Sequence, residues 1–313
     1  MEFFHKIPTL HFMRLRRLWY VMSGVLVAVS IASLFARGLH LSIDYTGGVE
    51  VELAFSTGVD VEKVRETLAA HGYRDAQVQI VDTVRDVLVR LPPQGEKVTG
   101  AEIGRTIEAD VLELDPNVKL QRADSVGSQV GRELANNGAL ALLFTFLLIG
   151  LYVALRFHTY KLGVGATVAA LHDPIIVVGY FSVTGLTFDL PALAAVLAVI
   201  GYSLNDTVVV FDRIRENFER SRRGVPLDVL DASINQTLSR TTITSGATFF
   251  VVLMLFIFGG EPLKGFSTAL LVGIAVGTYS SIYIASAMAL DFGLTATDIF
   301  PVRKTADELD KMP

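Results

Sequence analysis

Long apolar runs separated by polar stretches dominate the hydrophobic pattern of this chain. A helix needs about 20 mostly apolar residues to cross the hydrocarbon core of a bilayer. Six runs have this character: residues 18–36, 135–155, 162–184, 190–211, 241–259 and 265–290. The pattern predicts an α-helical integral membrane protein with six transmembrane helices.

The polar region between the first two runs, residues 37–134, follows different periodicities. Strand patterns occupy residues 49–55, 76–82, 86–91 and 118–123, and amphipathic helix patterns occupy 59–72 and 98–114. Thr99 is a candidate N-cap, and His71 lies at a helix end, where we expect a capping role. The order β-α-β-β-α-β predicts a ferredoxin-like α+β domain. It shows no catalytic constellation, which favours an interaction or mechanical module.

Basic residues alternate between the connections. The basic stretches are 1–17 with Lys6, the connection with Arg156 and Lys161, the 212–240 loop, and the 291–313 tail with Arg303 and Lys304. The connections on the opposite side, 182–190 and 259–264, contain a single lysine or arginine, Lys264. Because lysine and arginine concentrate on the cytoplasmic side, we expect cytoplasmic termini. The 37–134 domain, which has 17 acidic and 11 basic residues over 37–133, is then extracytoplasmic.

Composition agrees with a membrane protein. The chain has 313 residues, of which 51% are hydrophobic and 19% charged, with a mean hydropathy of +0.47. A soluble domain of this length cannot bury so much apolar surface. Cysteine is absent, which excludes disulfides and cysteine metal sites. The first apolar run is longer than the apolar part of a typical signal peptide, so we expect a retained anchor.

Asp206 is the most unusual residue in the apolar runs. It lies six residues before Asp212, hence ~9 Å inside the charged border at the helical rise, with Asn205 beside it. Asp206, Val210 and Arg213 share a helical face, so water from the cytoplasm could reach the acid. An ionisable residue in a transmembrane helix is a candidate for function, and we expect a proton site. The alternative is a carboxylate paired with a neighbouring helix for assembly.

Arg240 begins the fifth run, next to Thr241. By itself it is an ordinary arginine of the cytoplasmic side. Its depth should match that of Asp206, because both lie near the same ends of consecutive antiparallel helices. An arginine beside the acid would favour the ionised carboxylate, and separation would favour protonation.

His172 and Asp173 lie near the middle of the third run, followed by Pro174. Proline removes a backbone donor, which predicts a local kink. A histidine next to an acid suits a proton relay. It equally suits a polar device for helix packing, and the residues alone do not decide between the two.

Two pairs of glycines border the polar domain: Gly47 and Gly48 in "IDYTGG", and Gly127 and Gly131 in "SVGSQVGREL". They suit tight turns or close backbone approach. They also suit a hinge on either side of a rigid domain.

Several motifs together resemble the SecF family, the smaller partner of SecD in the accessory complex of bacterial protein export. The resemblance rests on "FFHKIPTLHFMRLRR", "IDYTGG", "SVGSQVG", "LHD", "GYSLNDTVVVFDRIRENF", "NQTLSRTTITSG" and "FGG". It implies six helices of the RND superfamily completed by six from SecD. It also implies that the acid at Asp206 and the arginine at Arg240 take part in proton passage, together with an acid of SecD.

The resemblance further implies partners and location. The chain would work in the bacterial cytoplasmic (inner) membrane with a SecD-like subunit and the SecYEG channel, and YajC- or YidC-like proteins are further candidate partners. Its substrate would be an unfolded preprotein, and its coupling ion the proton, with no cofactor, metal or nucleic acid. It would not be an enzyme.

Two other functions remain open at this stage. A small-solute exporter of the RND type would need a second half, because one six-helix unit with one small domain is half of such a pump. An intramembrane enzyme could use Asp173 and Asp206 as a dyad. Against it, the two acids lie at different depths, and the zinc-ligand spacing H-E-x-x-H is absent.

Overall fold

The structure, a computed structural model, describes residues 8–81, 83–93, 99–157 and 159–300. Lys6, Arg303 and Lys304, named above for orientation, lie outside these residues. The helices are α1 (Arg16–Arg37), α2 (Ile43–Thr46), α3 (Val61–Ala70), α4 (Gly100–Asp110), α5 (Ser128–Arg156), α6 (Tyr160–Thr184), α7 (Leu190–Arg220), α8 (Pro226–Phe258), α9 (Glu261–Ser280), α10 (Ser286–Asp291) and α11 (Ala296–Ile299). A 3₁₀ turn (Met13–Leu15) precedes α1, and a π-helical segment (Ser281–Ala285) joins α9 to α10. The strands are β1 (His40–Leu41), β2 (Gly48–Ala54), β3 (Gln77–Val81), β4 (Asp86–Leu91), β5 (Lys119–Val126) and β6 (Thr187–Phe188).

The chain forms two compact units. One contains residues 40–141 and 187–190, with the β-strands; the other is helical and contains α1, the later part of α5, and α6 to α11. The described part of the chain has six helices long and apolar enough to cross a membrane: Met13–Arg37, Ser128–Val153, Tyr160–Thr184, Leu190–Arg220, Pro226–Phe258 and Pro262–Asp291. The prediction of six transmembrane helices is confirmed as far as helix length and composition show it.

The prediction that residues 212–240 form a loop is wrong, because most of these residues are helical. α7 continues to Arg220 and α8 already begins at Pro226, so only residues 221–225 connect them. Hydropathy marks where a helix leaves the lipid, whereas the helix itself continues through charged residues that are good helix formers. Pro226 suits the first turn of α8, where a missing backbone N–H costs no hydrogen bond.

Burial divides the long helices into inner and outer ones. More than half of the residues are buried in the most apolar windows of α6, α7 and the α9–α10 segment, against 11% in α1, none in α5 and 17% in α8. The outer helices expose large apolar side chains, among them Phe35, Leu155, Phe250 and Phe258. Such a surface suits lipid or a second membrane subunit.

The α+β unit has the predicted order of elements, β2-α3-β3-β4-α4-β5. Its antiparallel sheet has the strand order β3-β4-β2-β5. The helices α3 and α4 cover one face, and Leu68 and Ile107 are fully buried with Val51 of the sheet. Thr99 accepts from the Glu102 N–H in a capping box, which confirms it as the N-cap of α4.

His71 caps α3, as expected from its position: its Nδ1 lies 2.9 Å from the Thr67 carbonyl oxygen. This hydrogen bond raises the pKa of His71 above its ordinary value, and Asp110, 3.9 Å from Nε2, acts in the same direction. A raised folded-state pKa gives stability that is present below about pH 6.5 and is lost as the pH rises through the folded value.

We therefore expect His71→Asn to lower the melting temperature of the α+β unit more at pH 5.5 than at pH 8.5. Thermal unfolding of the full chain, followed by near-ultraviolet circular dichroism at both pH values, measures the difference. Equal losses at the two pH values would contradict the assignment.

Candidate functional site

Asp206 lies on the buried face of α7. The buried positions of this helix recur at helical spacing and include Ser203, Asp206 and Val210. Folding of α7 onto the interior therefore buries the carboxylate, which is only 4% exposed. An isolated buried charge is unfavourable unless it is paired or well hydrogen-bonded.

The surroundings of Asp206 supply few donors. Ser245 of α8 donates from Oγ to Asp206 Oδ2 at 3.3 Å. Thr278 of α9 continues this contact, with Oγ1 2.9 Å from Ser245 Oγ. A chain of carboxylate and two hydroxyls thus crosses three helices. Within the described residues, the side chain of Asp206 accepts one hydrogen bond, from Ser245, whereas a carboxylate can accept several more.

Arg240 lies on α8, and its side chain is exposed. Among the described residues, no ion pair within 4.0 Å joins Arg240 to Asp206. Its charge is nevertheless near enough to attract the carboxylate electrostatically. The structure thus brings the two predicted residues into electrostatic range without direct contact.

Asn205 and Thr241 have opposite environments. Asn205 is exposed, because adjacent residues of a helix point in directions about 100° apart, and it does not join Asp206. Thr241 is 1% exposed, and its Oγ1 has no hydrogen-bond partner among the described residues. This hydroxyl lies one turn before Ser245, the residue of α8 that donates to Asp206.

His172 and Asp173 form a different kind of cluster. Asp173 is fully buried, and both its oxygens are hydrogen-bonded. His172 Nδ1 lies 2.9 Å from Oδ1, while Ser203 Oγ and Ser280 Oγ donate to Oδ2, the latter at 2.9 Å. Three inner helices therefore share one carboxylate, and α6 continues through Pro174.

The histidine extends this cluster to α1. His172 Nε2 lies 3.1 Å from Ser23 Oγ, Ser23 Oγ lies 2.8 Å from the Tyr279 hydroxyl, and that hydroxyl donates to the Trp19 carbonyl at 2.9 Å. Each polar atom of His172 and Asp173 therefore has a buried hydrogen-bond partner. This saturated geometry favours the packing alternative over a relay.

Three of the four candidate hinge glycines are close-packing positions within the α+β unit. A Cβ at Gly131 would lie 2.7 Å from the Gly47 nitrogen, and one at Gly47, which has φ +69°, would lie 2.7 Å from the Ser128 Cα. One at Gly48 would lie 2.3 Å from the Leu91 carbonyl oxygen. Close backbone approach therefore explains these three. Gly127 has open space around it, as a joint requires.

Two further residues, which were not predicted from the sequence, position α8. Asn235 accepts from the Leu10 N–H at 3.0 Å and donates to the Leu10 carbonyl at 2.8 Å, and Asp231 accepts from the Met13 N–H at 2.8 Å. Both residues are 6% exposed. They attach the segment before α1 to the first turns of α8, the helix that carries Arg240 and Ser245. Their spacing of four residues, which places both on one helical face, was the available signal.

No group of three or more His, Asp or Glu side chains within the described ranges is arranged to hold a metal ion. The chemistry that the arrangement around Asp206 allows is proton exchange. In the part of the chain that the structure describes, the buried acid has one side-chain donor, an unpaired hydroxyl on the next helix and a cation that does not contact it directly. Such an acid can be protonated and deprotonated with little structural change.

Two family models match the chain. The model described as "Protein export membrane protein SecD/SecF, C-terminal" matches residues 106–295, and the "SecD/SecF GG Motif" matches residues 32–59, which include Gly47 and Gly48. The first covers α5 to α10, which carry Asp206, Ser245, Arg240 and the His172–Asp173 pair, whereas Ser23 and Trp19 of α1 precede it.

Individual proteins show the same likeness. The chain is 47% identical to the protein translocase subunit SecF of Vibrio alginolyticus, with 97% of each chain covered. It is 42% identical to that of Pseudomonas aeruginosa, with 98% of this chain and 99% of the other covered. Its structure is similar to the crystal structure of SecDF, a translocon-associated membrane protein from Thermus thermophilus, with a TM-score of 0.82 and 38% identity. That match covers 91% of this chain but only 39% of the SecDF chain.

Proposed function

The chain belongs to the SecF family of protein translocase subunits, and from that membership we propose that it is a proton-coupled accessory subunit of the Sec translocase. Together with a SecD-like subunit, it uses the proton-motive force to promote preprotein translocation across the bacterial cytoplasmic membrane. It is a membrane coupling component rather than an enzyme, and the proton is its only coupling ion.

The single observation that carries this proposal is the buried and sparsely hydrogen-bonded carboxylate of Asp206 in a helix long enough to cross the membrane. The ionised carboxylate of Asp206 attracts the guanidinium of Arg240, and protonation of Asp206 removes that attraction. Because α7 carries the acid and α8 carries Arg240 and Ser245, proton uptake and release change what holds these two helices together. One charge moved across the membrane potential yields about 2.3 kcal/mol per 100 mV, enough to bias such an equilibrium.

A second membrane subunit completes the proposed assembly. Asn205 of α7 and Arg240 of α8 are exposed polar side chains, and α8 also exposes apolar residues such as Phe250. Polar groups on an outer face of a transmembrane helix favour contact with protein over contact with lipid. The SecD-like subunit is the proposed occupant of this face, where it adds a carboxylate to the pathway.

Orientation follows from the positive-inside distribution of charge. We place the segment before α1 and the end of the chain in the cytoplasm, and the ferredoxin-like α+β unit outside it. From there the α+β unit would act on an unfolded preprotein that leaves the SecYEG channel. YajC- or YidC-like proteins remain further proposed partners.

The proposal is tested in proteoliposomes that contain SecYEG and the SecD-like subunit, with or without this chain. Preprotein that becomes protected from protease is measured with an imposed proton gradient and after addition of a protonophore. We expect the chain to increase translocation only while the gradient is present. An increase of the same size after the gradient has been dissipated would overturn proton coupling.

A further inference from the structure

A cavity of about 230 Å³ opens in the helical unit where α5 ends and α6 begins. Its cationic lining residues are Arg156, the last residue of α5, and Arg215 of α7. Its apolar lining consists of Phe157, Leu162, Ile299 and Phe300. The lining therefore combines these two arginines and one acid, Asp298, with an apolar wall.

The cavity lies at the level of the membrane surface. The apolar run of α5 ends at Arg156, and Thr159 begins α6 as its N-cap. Tyr160, next along the chain, is 68% exposed, and the Lys161 ammonium lies 6.0 Å from the centre of its ring. Tyrosine and lysine residues are typical of the interface between lipid and water.

Most charges around the cavity neutralise one another. Arg156 Nη2 lies 2.6 and 2.5 Å from the two carboxylate oxygens of Asp212, and Lys161 Nζ lies 2.8 Å from both oxygens of Asp298. Although burial acts in the opposite direction, the hydrogen bonds from Lys161 and Thr295 hold the pKa of Asp298 below its ordinary value. Asp298 thus remains ionised and balances Lys161.

Arg215 keeps an uncompensated positive charge. It is exposed at the cavity, and no ion pair of Arg215 occurs within the described residues. Arg222 adds a second cation at the rim, with its guanidinium carbon 5.9 Å from the centre of the Phe300 ring. The excess charge beside the cavity is positive, which favours an anionic ligand.

An apolar strip leads from the cavity along the outside of α5. Leu148, Leu151 and Leu155 are 64%, 56% and 73% exposed and lie on one face by their spacing of three and four residues. Leu155 lies at the same end of α5 as Arg156, with its side chain directed about 100° away around the helix, so the strip reaches the level of the cavity beside it. A ligand with a phosphate at one end and hydrocarbon chains at the other satisfies both parts, whereas a free anion leaves the strip uncovered.

We propose that this cavity binds the headgroup of an anionic phospholipid, with the phosphate at Arg215 and the acyl chains along the strip of α5. The zwitterionic lipids fit less well, because their ammonium group adds a positive charge beside Arg215. Basic pockets between transmembrane helices are known as lipid headgroup sites. Lipid binding here does not involve Asp206, so its outcome is independent of the proposed proton coupling.

Native mass spectrometry of the full chain in detergent, titrated with phosphatidylglycerol or phosphatidylcholine, tests the proposal. We expect preferential binding of phosphatidylglycerol and about fivefold weaker binding in Arg215→Gln, since one basic residue near a lipid surface contributes about 1 kcal/mol. Arg215→Lys should keep most of the preference. Arg220→Gln, which changes an exposed arginine of α7 outside the cavity lining, should leave it unchanged.

Equal binding of the two lipids would overturn the proposal. If Arg220→Gln lost as much phosphatidylglycerol binding as Arg215→Gln, the proposal would also fail, because the lipid would then be attracted to the basic surface in general. Displacement of the bound lipid by inorganic phosphate at comparable concentration would identify a site for a free anion instead. The thermal unfolding temperature of each variant is measured alongside, and Leu155→Ser provides a second test. It keeps the arginines and should weaken lipid binding without affecting folding, since Leu155 is exposed; unchanged lipid binding would contradict the assigned chain path.

Discussion

Asp206→Asn abolishes the part of preprotein translocation that depends on the proton gradient and leaves assembly with the SecD-like subunit intact. Asparagine has nearly the same shape and keeps an oxygen that can accept from Ser245 Oγ, whose bond to the carboxylate is 3.3 Å long. It has no proton to exchange at any relevant pH. We therefore expect the gradient-dependent increase in protease-protected preprotein to disappear, while translocation without a gradient is unchanged.

Asp228→Asn is the matched control, because Asp228 is an exposed acid in the first turn of the same bundle's α8. This variant should translocate like the wild type. If Asp206→Asn no longer copurifies with the SecD-like subunit, the carboxylate serves assembly, which is the alternative that the sequence left open. If the variant retains the full gradient-dependent increase, Asp206 is not the coupling group.

Asp173→Ala has the second large effect, on stability. Ser203, Ser280 and His172 all lose their shared acceptor in the interior. Removing one partner of a buried pair of this kind costs about 3–5 kcal/mol, so we expect a clearly lower unfolding temperature and a low yield of folded protein. Asp291→Ala, which breaks a surface pair with Arg16 at 39% exposure of the acid, should cost less than about 1 kcal/mol.

Asp173→Asn then separates packing from relay. Asparagine keeps an acceptor for the serine hydroxyls but cannot carry the proton. The saturated geometry leads us to expect a folded variant that retains gradient-dependent translocation. Complete loss of that dependence in a variant of normal unfolding temperature would instead assign Asp173 to the proton pathway.

The six long helices were predictable because the length of an apolar run is a local property of the chain. The end of α7 and the start of α8 were not predictable, because residues 212–220 and 226–240 contain many polar residues and are nevertheless helical. Asp206 was recognisable as an acid in an apolar run. Its partner Ser245 was not, because hydroxyl residues are common in transmembrane helices and the packing of α7 against α8 decides which one faces the acid.

The glycines show a similar limit. The sequence indicates that Gly47 and Gly131 permit unusual backbone conformations, but not whether another segment occupies the space beside them. Their mutual approach depends on how the turn after α2 packs against the start of α5 within the α+β unit. Asp231 and Asn235 were missed for the same reason, since their partners are backbone groups of a distant segment.

Proton flux is the most direct measure of the central claim that Asp206 is the proton-coupling group. Proteoliposomes containing the chain and its SecD-like partner are given a pH gradient, and its decay is followed with an entrapped pH-sensitive dye. Wild-type vesicles should lose the gradient faster than vesicles with Asp206→Asn, whose rate should equal that of vesicles with the SecD-like partner alone. Equal rates for the wild type and Asp206→Asn would contradict the account.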